Sequence, residues 1–195
     1  MSPGSSSTWL VLLMALLAGC AGDPPVEIIS RAAWGSVATE RSLPEHTISK
    51  ITIHHGGVAF DDARDPAEYL RALQSWSRSE KEWIDIPYHF VIDLDGRIYE
   101  ARPIRFPGDT NTSYDPRSHA LIEVLGNYDN RELSDAQFET LAKLSAYLAK
   151  RYSVALADIR SHRDYAPGET TCPGDNIYRH FEDGSLLARI SELAR

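Results

Sequence analysis

Two histidine-containing segments and one cysteine constrain most strongly how this chain can fold. The first segment, residues 51–57 (ITIHHGG), ends an apolar run rich in β-branched residues. The second begins at His162, about a hundred residues later, and reaches Cys172 just before a Pro-Gly pair. Two imidazoles and a thiolate give Zn²⁺ three protein ligands and leave its fourth position to water, which distinguishes a catalytic zinc from a structural one. The fold is therefore expected to bring the two segments together around one ion.

Alternation along residues 48–54 predicts a β-strand and decides between the adjacent histidines. One face of this strand carries Ile51, Ile53 and His55, whereas His54 points to the other face. The apolar face is expected to pack against helices, so a groove is expected on the side of His54. We therefore predict that the zinc ligands are His54, His162 and Cys172.

Residues 1–19 are predicted to be a signal peptide. Residues 9–17 are apolar but too short to span a bilayer, which takes about 20 residues. The following residues, 17–20 (LAGC), resemble the lipobox of bacterial lipoproteins, in which the cysteine is lipidated, although residues 1–8 carry no Lys or Arg. Residues 20–27 are then a lipidated Cys20 and a tether, and residues 28–195 a single domain. An ordinary secretory signal with a chance cysteine is the alternative.

The lipobox predicts a lipid-anchored protein of the cell envelope. In a Gram-negative cell, the residue after Cys20 fits sorting to the outer membrane, with the domain facing the periplasm. The chain has only two cysteines, so a lipidated Cys20 leaves Cys172 without a disulfide partner. An unpaired thiol in an oxidising compartment is a liability unless a metal holds it as thiolate. A buried, inert cysteine is the alternative.

Composition supports one folded domain. At 43% hydrophobic residues, with nine Tyr and four Trp, the chain can bury a core. Its formal net charge of −8 gives no favourable electrostatic interaction with phosphate backbones, so nucleic acid is not an expected partner. A monomer is expected.

The order of predicted elements indicates an α/β domain whose mixed β-sheet has helices packed mainly on one face. The zinc site is expected in a groove on the other face. Residues 102–116 form a long loop, and loops of this length are more often functional than idle. We predict strands at 48–54, 88–92, 97–101, 119–125 and 159–162. We predict helices at 66–79, 135–152, 176–181 and 185–193, with a capping box at the start of the second and with Tyr69, Leu70, Leu73 and Trp76 of the first in the core.

Several segments, in order along the chain, resemble the zinc N-acetylmuramoyl-L-alanine amidases, a family that shares its fold with peptidoglycan recognition proteins and a phage lysozyme. Any one segment alone is a weak signal, but the ordered set is specific. The segments are 30–35 (SRAAWG), 53–55 (IHH), 87–100 (PYHFVIDLDGRIYE), 122–127 (IEVLGN), 162–164 (HRD) and 172–174 (CPG).

The resemblance implies zinc binding at the three predicted ligands. It places Tyr88 beside the zinc water, and Glu123 where one branch has a catalytic glutamate. It also places Thr170, where many members have Lys, at a position that contacts the developing charge. One departure is residues 107–111 (PGDTN), which lack the histidine of the family's Gly-Ala-His stretch.

Amide cleavage needs a strong nucleophile at neutral pH and a sink for negative charge. Zinc supplies both, because it lowers the pKa of bound water to about 7 and polarises the carbonyl. Glu123 is the candidate general base, with an exposed position at the sheet edge as the alternative. Tyr88 is the candidate oxyanion donor, with a buried strand aromatic as the alternative. These two residues and His119 leave open which side chain takes the proton.

Two functions from different classes follow. The first is an envelope amidase that uses Zn²⁺ to cut the amide bond between N-acetylmuramic acid and L-alanine in peptidoglycan. The second is a non-catalytic module that binds peptidoglycan or muropeptides. Some recognition proteins have lost the cysteine ligand, whereas this chain keeps all three candidates. A structural zinc site would need a fourth protein ligand, and no cysteine remains to supply it.

Overall fold

The structure is a computed structural model that describes Met1 and residues 26–39, 41 and 43–195. Apart from Met1, the predicted signal peptide lies outside the described residues, as do Cys20 and most of the predicted tether. Within the part that is described, no helix combines the length and apolar character needed to cross a bilayer.

Six strands of the described residues form one mixed β-sheet in the order β1-β4-β3-β5-β2-β6. All neighbouring pairs are parallel except β3 and β4, which form the predicted hairpin. At its turn, the carboxylate of Asp93 accepts hydrogen bonds from the backbone N–H groups of Asp95 and Arg97. The strands are β1 Ile28–Ile29, β2 Lys50–His55, β3 Phe90–Ile92, β4 Ile98–Glu100, β5 His119–Val124 and β6 Ile159–Ser161.

In the described part of the chain, five α-helices accompany the sheet. They are α1 Pro66–Ser79, α2 Asp135–Tyr152, α3 His162–Tyr165, α4 Asp175–Glu182 and α5 Ser185–Leu193. Helix α2 begins where predicted, since the Ser134 side chain accepts a hydrogen bond from the Gln137 N–H. Gln137 Oε1 accepts a hydrogen bond from the Ser134 hydroxyl over 3.3 Å rather than from the Ser134 N–H, so the reciprocal half of the capping box does not form. The amide nitrogen of Gln137 donates to the carbonyl of Asp93 over 3.0 Å.

The two faces of the sheet are covered differently. The main apolar core lies on one face, where side chains such as Ile53 and Ile122 pack with Leu141 of α2 and Ile190 of α5. On the other face, a smaller cluster forms around Leu70 of α1. The prediction that helices pack mainly on one face is confirmed.

Helix α1 corrects one core prediction. Its buried positions are Tyr69, Leu70, Gln74 and Ser77, a stripe that passes beside position 76 rather than through it. Trp76 is therefore 42% exposed instead of buried.

Parallel pairing of β2 with β5 and β6 positions the site. In the register of these strands, His54 lies beside Glu123, and Ile53 lies beside Ser161, the residue before His162. Because parallel strands end at the same edge of a sheet, chemistry-bearing residues from three distant segments meet there.

Candidate metal centre

His54, His162 and Cys172 lie together, as predicted. One potential ligand atom from each lies within 4.8 Å of the others, and all three residues are buried. The distance from His54 Nδ1 to Cys172 Sγ is 3.6 Å. Two ligands at about 2.1 and 2.3 Å from a tetrahedral zinc are separated by about 3.6 Å. The donor set and its spacing therefore fit one zinc ion.

His162 is held at the first position of helix α3 by a complete capping box. The Ser161 N–H donates to Asp164 Oδ2 over 2.9 Å, and the Asp164 N–H donates to Ser161 Oγ over 3.3 Å. Because Ser161 is also the last residue of β6, the cap joins the sheet directly to the second histidine. Asp164 thus caps the helix.

Cys172 is fixed by backbone contacts on both sides. Its Sγ accepts a hydrogen bond from the His55 N–H over 3.4 Å, and its carbonyl accepts one from the Arg163 N–H over 2.9 Å. The Cys172 N–H donates to Thr170 Oγ1 over 3.1 Å. Thr170 therefore holds the turn that presents the thiol.

Burial controls the charge of all three candidate ligands. It lowers the pKa of His54 well below its usual value, and the neighbouring His162 adds to this effect. Burial also lowers the pKa of His162 to about 4 and raises that of the Cys172 thiol to about 12. The imidazoles are thus neutral, as metal binding requires, whereas a cation in the centre is needed to stabilise the thiolate.

Glu123 is completely buried beside the centre, with 0% of its surface exposed. The alternative of an exposed sheet-edge glutamate is therefore wrong. Its Oε1 accepts a hydrogen bond from the Tyr69 hydroxyl over 2.9 Å, whereas its Oε2 has no partner among the described residues. Burial raises the pKa of Glu123 to about 8, although the bond from Tyr69 opposes the shift. Gly56 packs closely against this carboxylate, since a Cβ atom at position 56 would lie 2.9 Å from Glu123 Oε1.

Tyr88 lies against the first histidine, with its ring centre 5.1 Å from that of His54. Burial raises the pKa of Tyr88 well above its usual value, and the charge of Glu123 adds to the shift. The phenol is therefore protonated and can donate a hydrogen bond. His119 lies four positions before Glu123 on β5, where its Nδ1 is 2.7 Å from Thr52 Oγ1.

The long loop contributes residues that sequence reasoning did not identify. Thr112 Oγ1 is 2.7 Å from His162 Nε2, and the Tyr114 hydroxyl is 3.4 Å from His54 Nε2. The length of the loop indicated function, but no pattern within it pointed to these two side chains. Tyr69 was expected only in the core, and its bond to Glu123 was also missed.

An α/β domain in which a buried His-His-Cys group lies beside the ends of parallel strands defines a candidate metal-binding protein. Residues 44–175 match the model of the N-acetylmuramoyl-L-alanine amidase family, Amidase_2, and the chain belongs to this family.

The relatives include both recognition proteins and amidases. Peptidoglycan-recognition protein SC2 of Drosophila melanogaster is 31% identical over 179 residues, which cover 90% of this chain and 95% of that protein. The crystal structure of the Drosophila recognition protein PGRP-SD gives a TM-score of 0.70 at 22% identity, covering 81% of this chain and 94% of that one. The amidase LysC of Clostridium intestinale gives 0.64 at 25% identity, covering 85% and 97%. These neighbours confirm the predicted fold class.

Proposed function

We propose that this protein is a zinc-dependent hydrolase that cuts the amide bond between N-acetylmuramic acid and L-alanine in peptidoglycan. The observation that carries the proposal is the grouping of two neutral imidazoles and a thiol within 4.8 Å. Three ligands leave an open position for chemistry. Family membership supports the choice of substrate, since the matching model is that of N-acetylmuramoyl-L-alanine amidases.

The side chains around the centre supply the remaining parts of an amide hydrolysis. When bound, Zn²⁺ would act as a Lewis acid on the carbonyl and would make the attacking water more acidic. His54, His162 and Cys172 would hold the ion. Glu123 would accept the proton of the attacking water and deliver it to the leaving amine. A nearby cation would lower the raised pKa of the Glu123 carboxyl toward 7. A pKa near 7 suits both accepting the proton from water and delivering it to the amine.

Two hydroxyl groups would stabilise the oxygen that gains negative charge. Tyr88 is protonated and lies beside His54, so it can donate to that oxygen. Thr170 accepts a bond from the Cys172 N–H through its oxygen, which leaves its own O–H free to donate. A single well-placed donor of this kind contributes about 3 kcal/mol to catalysis.

The second candidate is a module that binds peptidoglycan or muropeptides without cutting them. Its support comes from the relatives, several of which are named recognition proteins, and one neighbouring structure holds recognition-protein ectodomains bound to tracheal cytotoxin. The retained cysteine favours the enzyme over this alternative.

Mass spectrometry of purified peptidoglycan, digested with the zinc-loaded protein, tests the choice. The enzyme would release stem peptides that begin with L-alanine, together with glycan strands that lack peptide. The Cys172→Ser variant is the matched control. Binding of the wall without release of peptide by the wild-type protein would support the recognition module instead.

We also propose that the protein is a monomer attached to the cell envelope by lipid on Cys20, at the outer membrane if the cell is Gram-negative. The support is the sequence LAGC at residues 17–20. Cys20→Ala should release the protein from membranes, whereas Cys172→Ala should leave it attached. Continued membrane association of Cys20→Ala would refute lipid anchoring.

A further inference from the structure

The loop segment 110–114 braces the second histidine of the metal centre. Thr112 Oγ1 lies 2.7 Å from His162 Nε2, and Thr110 Oγ1 lies 2.8 Å from Thr112 Oγ1. Thr110 Oγ1 is also 3.4 Å from the same ring nitrogen. Since Nε2 of His162 is occupied by this pair of hydroxyls, Nδ1 is the ring atom left for the ion.

The bracing segment, residues 110–114, is hydrogen-bonded to the turn that carries the Cys172 thiol. The Ser113 N–H donates to Glu169 Oε2 over 2.8 Å, and the Ser113 hydroxyl also contacts that carboxylate. Glu169 precedes Cys172 by three positions. The position of Thr112 is therefore set by the same part of the molecule that presents the third ligand.

His54 shows the same arrangement independently. Its Nδ1 lies 3.6 Å from Cys172 Sγ, while its Nε2 lies 3.4 Å from the Tyr114 hydroxyl. In both rings, then, a hydroxyl from the bracing segment faces Nε2. A neutral imidazole has one donor and one acceptor nitrogen, and a partner that accepts from one of them fixes which nitrogen is free to bind a metal.

We propose that Thr112 is a positioning residue whose hydroxyl oxygen accepts the Nε2–H of His162 and thereby directs the Nδ1 lone pair to zinc. The inference rests on the proposed zinc site. Partners of this kind orient the ring and increase its basicity, and their loss typically weakens metal binding by about 10–100-fold. The family resemblance assigns no role to Thr112, which directly follows the residues 107–111 that depart from the family pattern.

The test compares Thr112→Val with Thr112→Ser in the full chain. Valine keeps the shape but removes the acceptor, so zinc affinity, measured by competition with a chelator, should fall by about 10–100-fold. Serine should restore it. Thr140→Val on helix α2, which carries the same substitution away from the centre, should bind zinc like the wild type. The Co²⁺-substituted Thr112→Val protein should also show an altered absorption spectrum.

Nitrogen NMR of zinc-loaded wild type gives a direct measurement, in which His162 should carry its proton on Nε2. A proton on Nδ1 would overturn the inference, as would wild-type zinc affinity and an unchanged cobalt spectrum in Thr112→Val. In those cases cleavage of peptidoglycan by the wild type would still support the proposed function. A wild-type protein that binds no zinc would overturn both proposals.

Discussion

The two faces of strand β2 are buried to a similar extent, but one carries apolar side chains and the other polar ones. Ile51 and Ile53, both 0% exposed, face the helices α2 and α5, whereas Thr52 at 0% and His54 at 2% face the groove. Burying apolar groups stabilises the fold, by about 25 cal/mol per Å². Burying polar groups costs free energy unless each is hydrogen-bonded. We therefore attribute the polar groove side of β2 to function and its apolar helix side to stability of the fold.

The polar side chains of the groove have few hydrogen-bond partners. Thr52 contacts His119, and Tyr69 donates to Glu123. The second carboxylate oxygen of Glu123 has no partner within the described residues. Substitutions on the groove face are therefore expected to change function with little loss of stability, and substitutions on the helix face to do the reverse.

The largest effect is expected from Cys172→Ser. Removing the thiolate should abolish stoichiometric zinc binding and lower amidase activity to background, a loss of about 10³-fold or more, because the bound metal contributes several kcal/mol to the transition state. Zinc content by elemental analysis and release of stem peptides measure this. A variant that keeps one zinc and the full rate would refute the assigned centre.

Glu123→Gln should come next, with kcat reduced by about 10²–10⁴-fold. Zinc content should stay at the wild-type level, because Glu123 is not a ligand. Stability should not fall, since a neutral amide replaces a buried carboxyl that has one unpartnered oxygen. Tyr69→Phe, which removes only the bond to Glu123, is the control and should lose less activity. Turnover of Glu123→Gln near that of the wild type would show that another group takes the proton.

On the helix face, Leu141→Ala should lower the free energy of unfolding by about 2–5 kcal/mol, because the cavity left in the core cannot close fully. Zinc affinity and kcat of the folded fraction should be unchanged. Urea unfolding and chelator competition give the two numbers. If zinc affinity fell together with stability, the two faces would not be independent.

The raised pKa of Glu123 predicts a smaller, pH-dependent difference in the metal-free protein. The carboxyl has a folded pKa of about 8 against 4.5 for the free group, so the folded state binds the proton more tightly. The stability that this group contributes is complete below pH 4.5 and is lost as pH rises through about 8. The free energy of unfolding, measured with urea in the presence of chelator at pH 4.5 and pH 8, should show this loss in the wild type and not in Glu123→Gln. An equal change with pH in the two proteins would contradict the raised pKa of Glu123.

The contrast between the faces also explains what the sequence could predict. Helix α1 begins after Asp65 and ends at Ser79 as predicted, because capping and periodicity are local signals. The three candidate ligands were predictable because few residue types suit zinc. The two-residue strand β1 was not predicted, since Ile28–Ile29 is too short to show alternation.

The groove-side contacts of the long loop could not be predicted in the same way. Thr112 and Tyr114 reach the histidines because Ser113 is bonded to Glu169, 56 positions away. No periodicity encodes such a contact. The same holds for Gln137, whose side-chain amide nitrogen donates to the carbonyl of Asp93 on the hairpin, 44 positions away.

The smallest effects come from two matched helix caps. Ser134 caps α2 on the helix face, and Ser161 caps α3, whose first residue is His162. Replacing either serine with alanine should cost about 1 kcal/mol of stability. Only Ser161→Ala should also weaken zinc binding, because its cap fixes the backbone that carries a ligand. Urea unfolding and chelator competition on both variants test this, and equal zinc affinities would show that strand β6, rather than the cap, positions His162.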